Sequence, residues 1–269
     1  MVKGRAQAIP PIVIVTWTQT VAALAWVAFF AVSGHPFTWS PAAWPAVLAS
    51  PLLVAGMATL IARASARGDI SIVGPVYALS PIFTIVPDAI LSGTLPTPVG
   101  WVGLALAVAG TATLSRGGDG AMSLRALLAR RDVIDALGAA VLLGFLAAVD
   151  RWGALMLGPP SYLVCSHGAT AVLTAIIALA TTPRGLAEST SPGTLTTVLA
   201  HGVLGVTGTA MQTSALTMAP AAYVNAIRRL SALVAVVLGR ALFREADLGR
   251  RLAAAALACA GAACLLLAR

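Results

Sequence analysis

Charge is scarce in this sequence: only 10% of its 269 residues are Asp, Glu, Lys or Arg, against roughly 25% in a soluble globular domain. Such a chain cannot cover a water-facing surface with polar groups, which excludes an ordinary soluble domain. Polar low-complexity runs are lacking too, while 59% of the residues are hydrophobic, which excludes disorder. Basic clustering is missing. The 17 Lys and Arg outnumber the 9 Asp and Glu, but they are dispersed over connecting segments, so no nucleic acid is expected as a partner. Cysteine is sparse, at three. Cys165, Cys259 and Cys264 lie in apolar stretches without C-x-x-C spacing, where a thiol packs as a small hydrophobe. Neither a metal nor a cofactor is expected. No G-x-x-x-x-G-K-[ST] loop is present for an ATP-driven pump. No G-x-S-x-G is present for a hydrolase, and the adjacent Ser166 and His167 point their side chains apart, so the chain is not read as an enzyme.

What the sequence does have is long apolar runs. A helix crossing a hydrocarbon core about 30 Å thick needs roughly 20 of them in succession. About nine such runs can be read: Ile12–Val32, Pro45–Ala64, Ile70–Leu91, Pro98–Ser115, Val133–Leu157, Ser161–Thr181, Leu195–Thr217, Ala221–Phe243 and Leu248–Ala268. Turn chemistry punctuates them, as in Ser33-Gly34-His35-Pro36, Gly93-Thr94-Leu95-Pro96 and Pro183-Arg184-Gly185. The expected fold class is an all-α polytopic membrane protein. Lys3 and Arg5 before the first run resemble the start of a signal peptide, but that run exceeds the usual h-region and holds Pro10-Pro11 and Gln19, so a retained helix is expected. Most Lys and Arg of the connections fall on one side, which predicts a cytoplasmic N-terminus.

The runs are also repeated. Leu79-Ser80 recurs as Leu230-Ser231 and Gly110 as Gly261, both 151 residues on. Ser40-Pro41 returns as Ser191-Pro192 and Val47-Leu48-Ala49 as Val198-Leu199-Ala200 in the same register. Pro10-Pro11 pairs with Pro159-Pro160 at a shift of two residues. Corresponding helices lie five crossings apart and so run in opposite directions, an inverted repeat of the kind secondary transporters use. The predicted organisation is a first repeat over 1–116, a basic connecting loop over 117–132 and a second repeat over 133–269. The first repeat lacks a counterpart of the helix that ends at Asp150. Either the start lies upstream or a tenth helix has been lost.

The segments Gly68-Asp69-Ile70-Ser71-Ile72-Val73-Gly74-Pro75 and Ala78-Leu79-Ser80-Pro81-Ile82-Phe83 resemble the motif region of EamA-type transporters of the drug/metabolite transporter superfamily. So do Ala219-Pro220-Ala221-Ala222-Tyr223-Val224, Arg228-Arg229-Leu230-Ser231 and Phe243-Arg244-Glu245 in the second half. The resemblance implies ten helices in two inverted halves of five, moving small metabolites across a bacterial inner membrane. Two departures stand out: the first family helix is absent, and Thr94 occupies the place of a usual glutamate. Family members are drawn with both ends cytoplasmic, which the charge count opposes.

Ionisable groups within a bilayer are costly and by default suggest function. Arg228 and Arg229 lie seven or eight residues into the eighth run, roughly 11 Å deep at 1.5 Å per residue. Asp150 and Arg151 lie a similar distance from the end of the fifth run, and His167 about 10 Å into the sixth. Asn225 is within a turn of the arginines, and Asp88 lies near the same face. As a substrate site, an arginine there would hold a carboxylate or phosphate through a bidentate fork. Tyr223 and Tyr77 would line it, the latter matching Arg228 in the repeat. Asp150 or His167 would couple a proton. The competing account is an Asp150 pair with Arg228 or Arg229 that pins two helices, while the other arginine snorkels to headgroups. Trp17, Thr18 and Gln19 match Ser166, His167 and Gly168 and would be the first half's version of this layer. Pro75, Pro81 and Pro87 would kink or break the third helix.

The expected function is a secondary transporter of a small anionic or zwitterionic, amino-acid-like metabolite. A lipid or lipid-linked-sugar flippase and a lipophilic-cation exporter are the alternatives. The partners implied are the small-molecule substrate, the lipid bilayer and, as an open option, a second copy of the chain.

Overall fold

Proline and glycine set the helix ends. Pro11, Pro98, Pro159, Pro183 and Pro192 each open a helix, where the missing N–H has no intrahelical partner to lose. Gly34 and Gly93 close two helices in the left-handed conformation, at φ 63° and 66°, which only a residue without Cβ adopts freely. Both lie in turns read from the sequence.

In the computed structural model, residues 10–68, 73, 76–77, 79–115, 129–190, 192–228, 256–257, 260–261, 263–265 and 267–268 are described. Their regular elements are all helical. Helix α1 spans Pro11–Ser33, α2 Trp44–Arg67 behind a 3-10 turn at Pro41–Ala43, α3 Ser80–Ser92, α4 Pro98–Ser115 and α5 Arg131–Leu157. Then come α6 Pro159–Thr181, the short α7 Pro183–Glu188, α8 Pro192–Met218 and α9 Ala221–Arg228. Six of the expected runs thus coincide with helices. The eighth continues past Arg228 outside the described residues, and the ninth is described only in part. The run expected over Ile70–Leu91 differs: Leu79 lies in a turn and a fresh helix begins at Ser80. Pro81, at the start of α3, cannot donate to the preceding turn, so the break falls there.

Four helices are long and apolar enough to cross a bilayer among the described residues: Pro11–Ser33, Pro41–Arg67, Arg131–Leu157 and Pro159–Thr181. Ser80–Ser92 and Pro98–Gly110 are shorter apolar helices. Helix α8 is as long as α5, at 27 residues, and holds no Asp, Glu, Lys or Arg, but is rich in Thr and Gly. Large apolar side chains stay exposed along the spans, among them Leu24, Val32, Leu52, Val86, Ile90 and Val172. In lipid that exposure carries no penalty.

The chain forms two compact units, Met1–Thr59 with Val149–Met218 and Leu60–Ala148 with Ala219–Arg269. Each draws on both sequence repeats. In the first unit α1 packs along α6, its counterpart in the repeat, and along α8. A Cβ on Gly202 of α8 would meet Val21 of α1 at 2.8 Å, so the missing side chain is what admits the contact. In the second unit α9 packs on α3 and α4, burying Ile85, Leu104, Ala107, Ala222, Tyr223, Ala226, Leu265 and Ala268 together. A separate cluster joins Ala64, Val73, Val76, Val133 and Ala136. Alanine supplies half of the first cluster and two of the five residues of the second, as expected where helices associate by close van der Waals approach rather than by escape from water.

Candidate functional site

The candidate residues fall into two groups, one in each unit. In the first unit, Asp150 sits near the end of α5, half-buried. Its Oδ1 accepts from the Tyr162 hydroxyl at 2.6 Å and from Ser50 Oγ at 3.2 Å. Tyr162 is buried in the first turn of α6, and its ring fills the space where Gly153 of α5 has no side chain: a Cβ there would lie 2.2 Å from the ring. That glycine, one turn after Asp150, is what lets the phenol reach the carboxylate. The neighbouring Arg151, buried, donates from Nε to the Leu216 carbonyl at 3.0 Å. It thereby supplies a cation to the last turn of α8, whose carbonyls have no intrahelical donor.

Further along α6, His167 is buried and its Nδ1 pairs with Gln19 Oε1 of α1. Gln19 is adjacent to the position that matches His167 in the repeat, so the two repeat-related layers meet side by side. Two residues nearer the start of α1, Trp17 donates its indole N–H to Ser189 Oγ at 2.7 Å, tying α1 to the turn that follows α7. Thr38, after α1, donates to Ser161 Oγ from its backbone at 3.0 Å and also pairs with the Leu157 carbonyl.

In the second unit, Asp88 is buried at the end of α3. Its Oδ2 accepts the Ala221 N–H at 2.8 Å and the Thr94 hydroxyl at 3.4 Å. A carboxylate from another helix thus caps the start of α9, where the N–H groups lack partners and the dipole favours a negative charge. One turn on, the buried Asn225 donates to Thr84 Oγ1 at 3.1 Å, and Thr84 in turn donates to the Ser80 carbonyl at 3.0 Å. Tyr223, also buried, accepts the Thr97 N–H at 3.0 Å on its hydroxyl oxygen. A Cβ on Gly100 would lie 1.7 Å from that oxygen. Arg228 ends the described part of α9 and is exposed, and Tyr77 is half-buried. Arg229 lies outside the described residues.

The structure therefore joins Asp88 to the start of the helix that carries Asn225 and Tyr223. It supplies Asp150 with Ser50 and Tyr162, and His167 with Gln19. Ser50, Tyr162, Thr84 and Thr97 escape a sequence reading, since a hydroxyl in an apolar run gives no sign of whether it bonds its own helix or a neighbour. The one available signal for Tyr162 is rarity, as one of three tyrosines. Among the described residues no group of three or more His, Cys, Asp or Glu is placed to hold a metal ion.

Residues 1–116 match the EamA-like transporter family, which is the resemblance carried by the sequence motifs and is a family of membrane transporters. No curated protein matches the sequence. Among solved structures 25 chains match. One, described only as "Crystal structure of protein", is 21% identical with a TM-score of 0.75, covering 97% of this chain and 90% of its own. At that identity the likeness establishes the fold alone.

Proposed function

From the match of residues 1–116 to the EamA-like transporter family, we propose that the chain is a secondary transporter working by alternating access. Its solute is a small anionic or zwitterionic metabolite, amino-acid-like in character, and its location is a bacterial cytoplasmic membrane. The observation that carries this reading is the internal repeat at an interval of 151 residues. It continues the matched segment's pattern through the rest of the chain, as expected if residues 133–269 form a second, oppositely directed copy.

The polar inventory supports a solute rather than a purely structural role. Buried Asp, Asn, His and Arg side chains inside apolar helices are expensive in lipid, and here they stand on helices of both repeats. Arg228 and Arg229 supply the cationic forks suited to a carboxylate. Asn225, Tyr223 and Tyr77 supply neutral donors and acceptors on the same or the matching stretch. Asp150, Arg151 and Asp88 are the helix-joining charges, with Asp150 also available to carry a proton. The reading uses no nucleic acid, cofactor or metal, and its partners are the solute and the bilayer.

Counterflow measured in proteoliposomes tests it. Accumulation of a labelled amino acid driven by the same unlabelled solute is expected from the full chain. Arg228→Ala and Arg229→Ala should each abolish it while leaving membrane insertion and yield unchanged. Unaltered counterflow in both variants removes the arginines from the site, and no counterflow of any amino acid or organic anion overturns the substrate class.

A further inference from the structure

Three buried side-chain polar atoms find no hydrogen-bond partner among the described residues: Trp26 Nε1, Ser92 Oγ and His167 Nε2. Of the three residues only His167 is itself more than nine-tenths buried, at 7% exposure. Native interiors rarely leave such an atom unmet without a reason.

The other ring nitrogen explains which kind of atom it is. Nδ1 faces Gln19 Oε1, and since a carboxamide oxygen only accepts, the proton of the neutral ring is assigned to Nδ1. In the neutral ring, Nε2 is then a bare lone pair that needs a donor. Hydroxyls on the two helices that carry this pair are turned onto their own helices. On α1, Thr16, Thr18 and Thr20 donate to the carbonyls of Ile12, Val15 and Thr16 at 2.8, 2.9 and 2.8 Å. On α6, Ser166, Thr170 and Thr174 donate to Leu163, Ser166 and Thr170 at 3.5, 2.7 and 2.7 Å. Each hydroxyl has committed its single proton to its own helix. The Trp17 indole proton is committed to Ser189, and α1 holds no charged residue at all.

We propose that His167 Nε2 receives an N–H of the transported solute's ammonium group, and that Gln19 is the positioning residue that fixes the accepting tautomer. The inference rests on the transporter reading above and narrows its substrate class to solutes with an N–H donor. A carboxylate or phosphate would set lone pair against lone pair at this nitrogen. An ammonium makes a charge-assisted bond there, the stronger kind.

The test uses the full chain, purified in detergent and labelled with 15N-histidine. Three histidines give three ring pairs, assigned with His35→Gln and His201→Gln. The free protein should show His167 protonated at Nδ1 and bare at Nε2. The probes are L-alanine, L-leucine, L-glutamate and L-phenylalanine, set against betaine, which keeps both charges but has no N–H, and against acetate and glycerol. At least one amino acid should move the Nε2 resonance while betaine, acetate and glycerol leave it in place. His167→Phe should weaken binding of that amino acid about tenfold or more, the effect of losing one charge-assisted bond. Gln19→Leu should leave the ring in a mixture of both tautomers.

A proton on Nε2 in the free protein overturns the proposal. So does a response to betaine or glycerol equal to that of the amino acid, or no response to any probe, which assigns the lone pair to a fixed water. Counterflow with the same panel separates the two levels. Amino-acid transport with an unmoved His167 defeats this inference alone, whereas no transport of any panel member defeats the reading it rests on.

Discussion

Asp88 shows what a single side chain does when it is buried among apolar helices. Its carboxylate meets the buried first N–H of α9 at 2.8 Å, so replacing it leaves that N–H without its acceptor in a place water does not reach. Asp88→Ala should therefore lower stability by about 1–3 kcal/mol. Asp88→Asn, which keeps an oxygen at the same reach, should cost less, and chemical unfolding in detergent separates the two. Equal stability of Asp88→Ala and wild type would show that the contact does not hold the helix start. The polar letters of such contacts were legible in advance: Asp88, Asp150, Arg151, His167 and Asn225 stand out because they interrupt apolar runs. Their partners were not. The Leu216 carbonyl that receives Arg151 leaves no mark in a sequence, and Ser50 and Thr84 look no different from hydroxyls turned onto their own helix.

Between helices the deciding quantity is how closely two backbones approach. Gly261, in the partly described last run, lies against α4, where an added Cβ would come within 2.6 Å of the Ala107 nitrogen and 2.8 Å of the Gly103 carbonyl. Gly103 and Ala107 are four residues apart and form the small-residue stripe that membrane helices use for such approach. Gly261→Val should destabilise by about 1–3 kcal/mol, the usual cost of overfilling a packed contact. Gly168→Ala, where an added Cβ meets nothing within 4 Å, should be neutral or stabilising by up to about 1 kcal/mol through helix propensity. Thermal unfolding of the two variants side by side checks the contrast, and a Gly261→Val protein as stable as Gly168→Ala would contradict it. Helix ends were readable wherever proline or glycine marks them, and α4 falls on its expected residues, Pro98–Ser115. The run over Ile70–Leu91 is interrupted before Ser80, beside one of the three prolines expected to kink or break it, and apolar length alone does not show where. Proline at that point starts a helix more readily than it bends one.

At the scale of the whole molecule, the repeat was visible as a fixed interval of 151 residues. The two compact units were not visible, because they take helices from both halves and a linear register says nothing about which helices pair. The composition of α8 has a consequence for how the chain is made. Seven threonines, a serine and four glycines leave this 27-residue helix poorly matched to lipid on its own, while in the folded unit it rests on α1 and α6. A ribosome delivers α1 and α6 to the membrane before α8 emerges, so the translocation machinery meets a weak segment whose partners are already waiting. In a glycosylation-mapping assay, α8 presented alone within a host protein should integrate poorly, and integration should rise when α6 precedes it. Efficient integration of α8 alone would show that lipid itself accepts it. Late retention by neighbours then makes the biogenesis of this protein sensitive to damage in helices far from α8 in sequence. Substitutions on the α8-facing side of α1 would surface as lost copies of the protein rather than as slow transport.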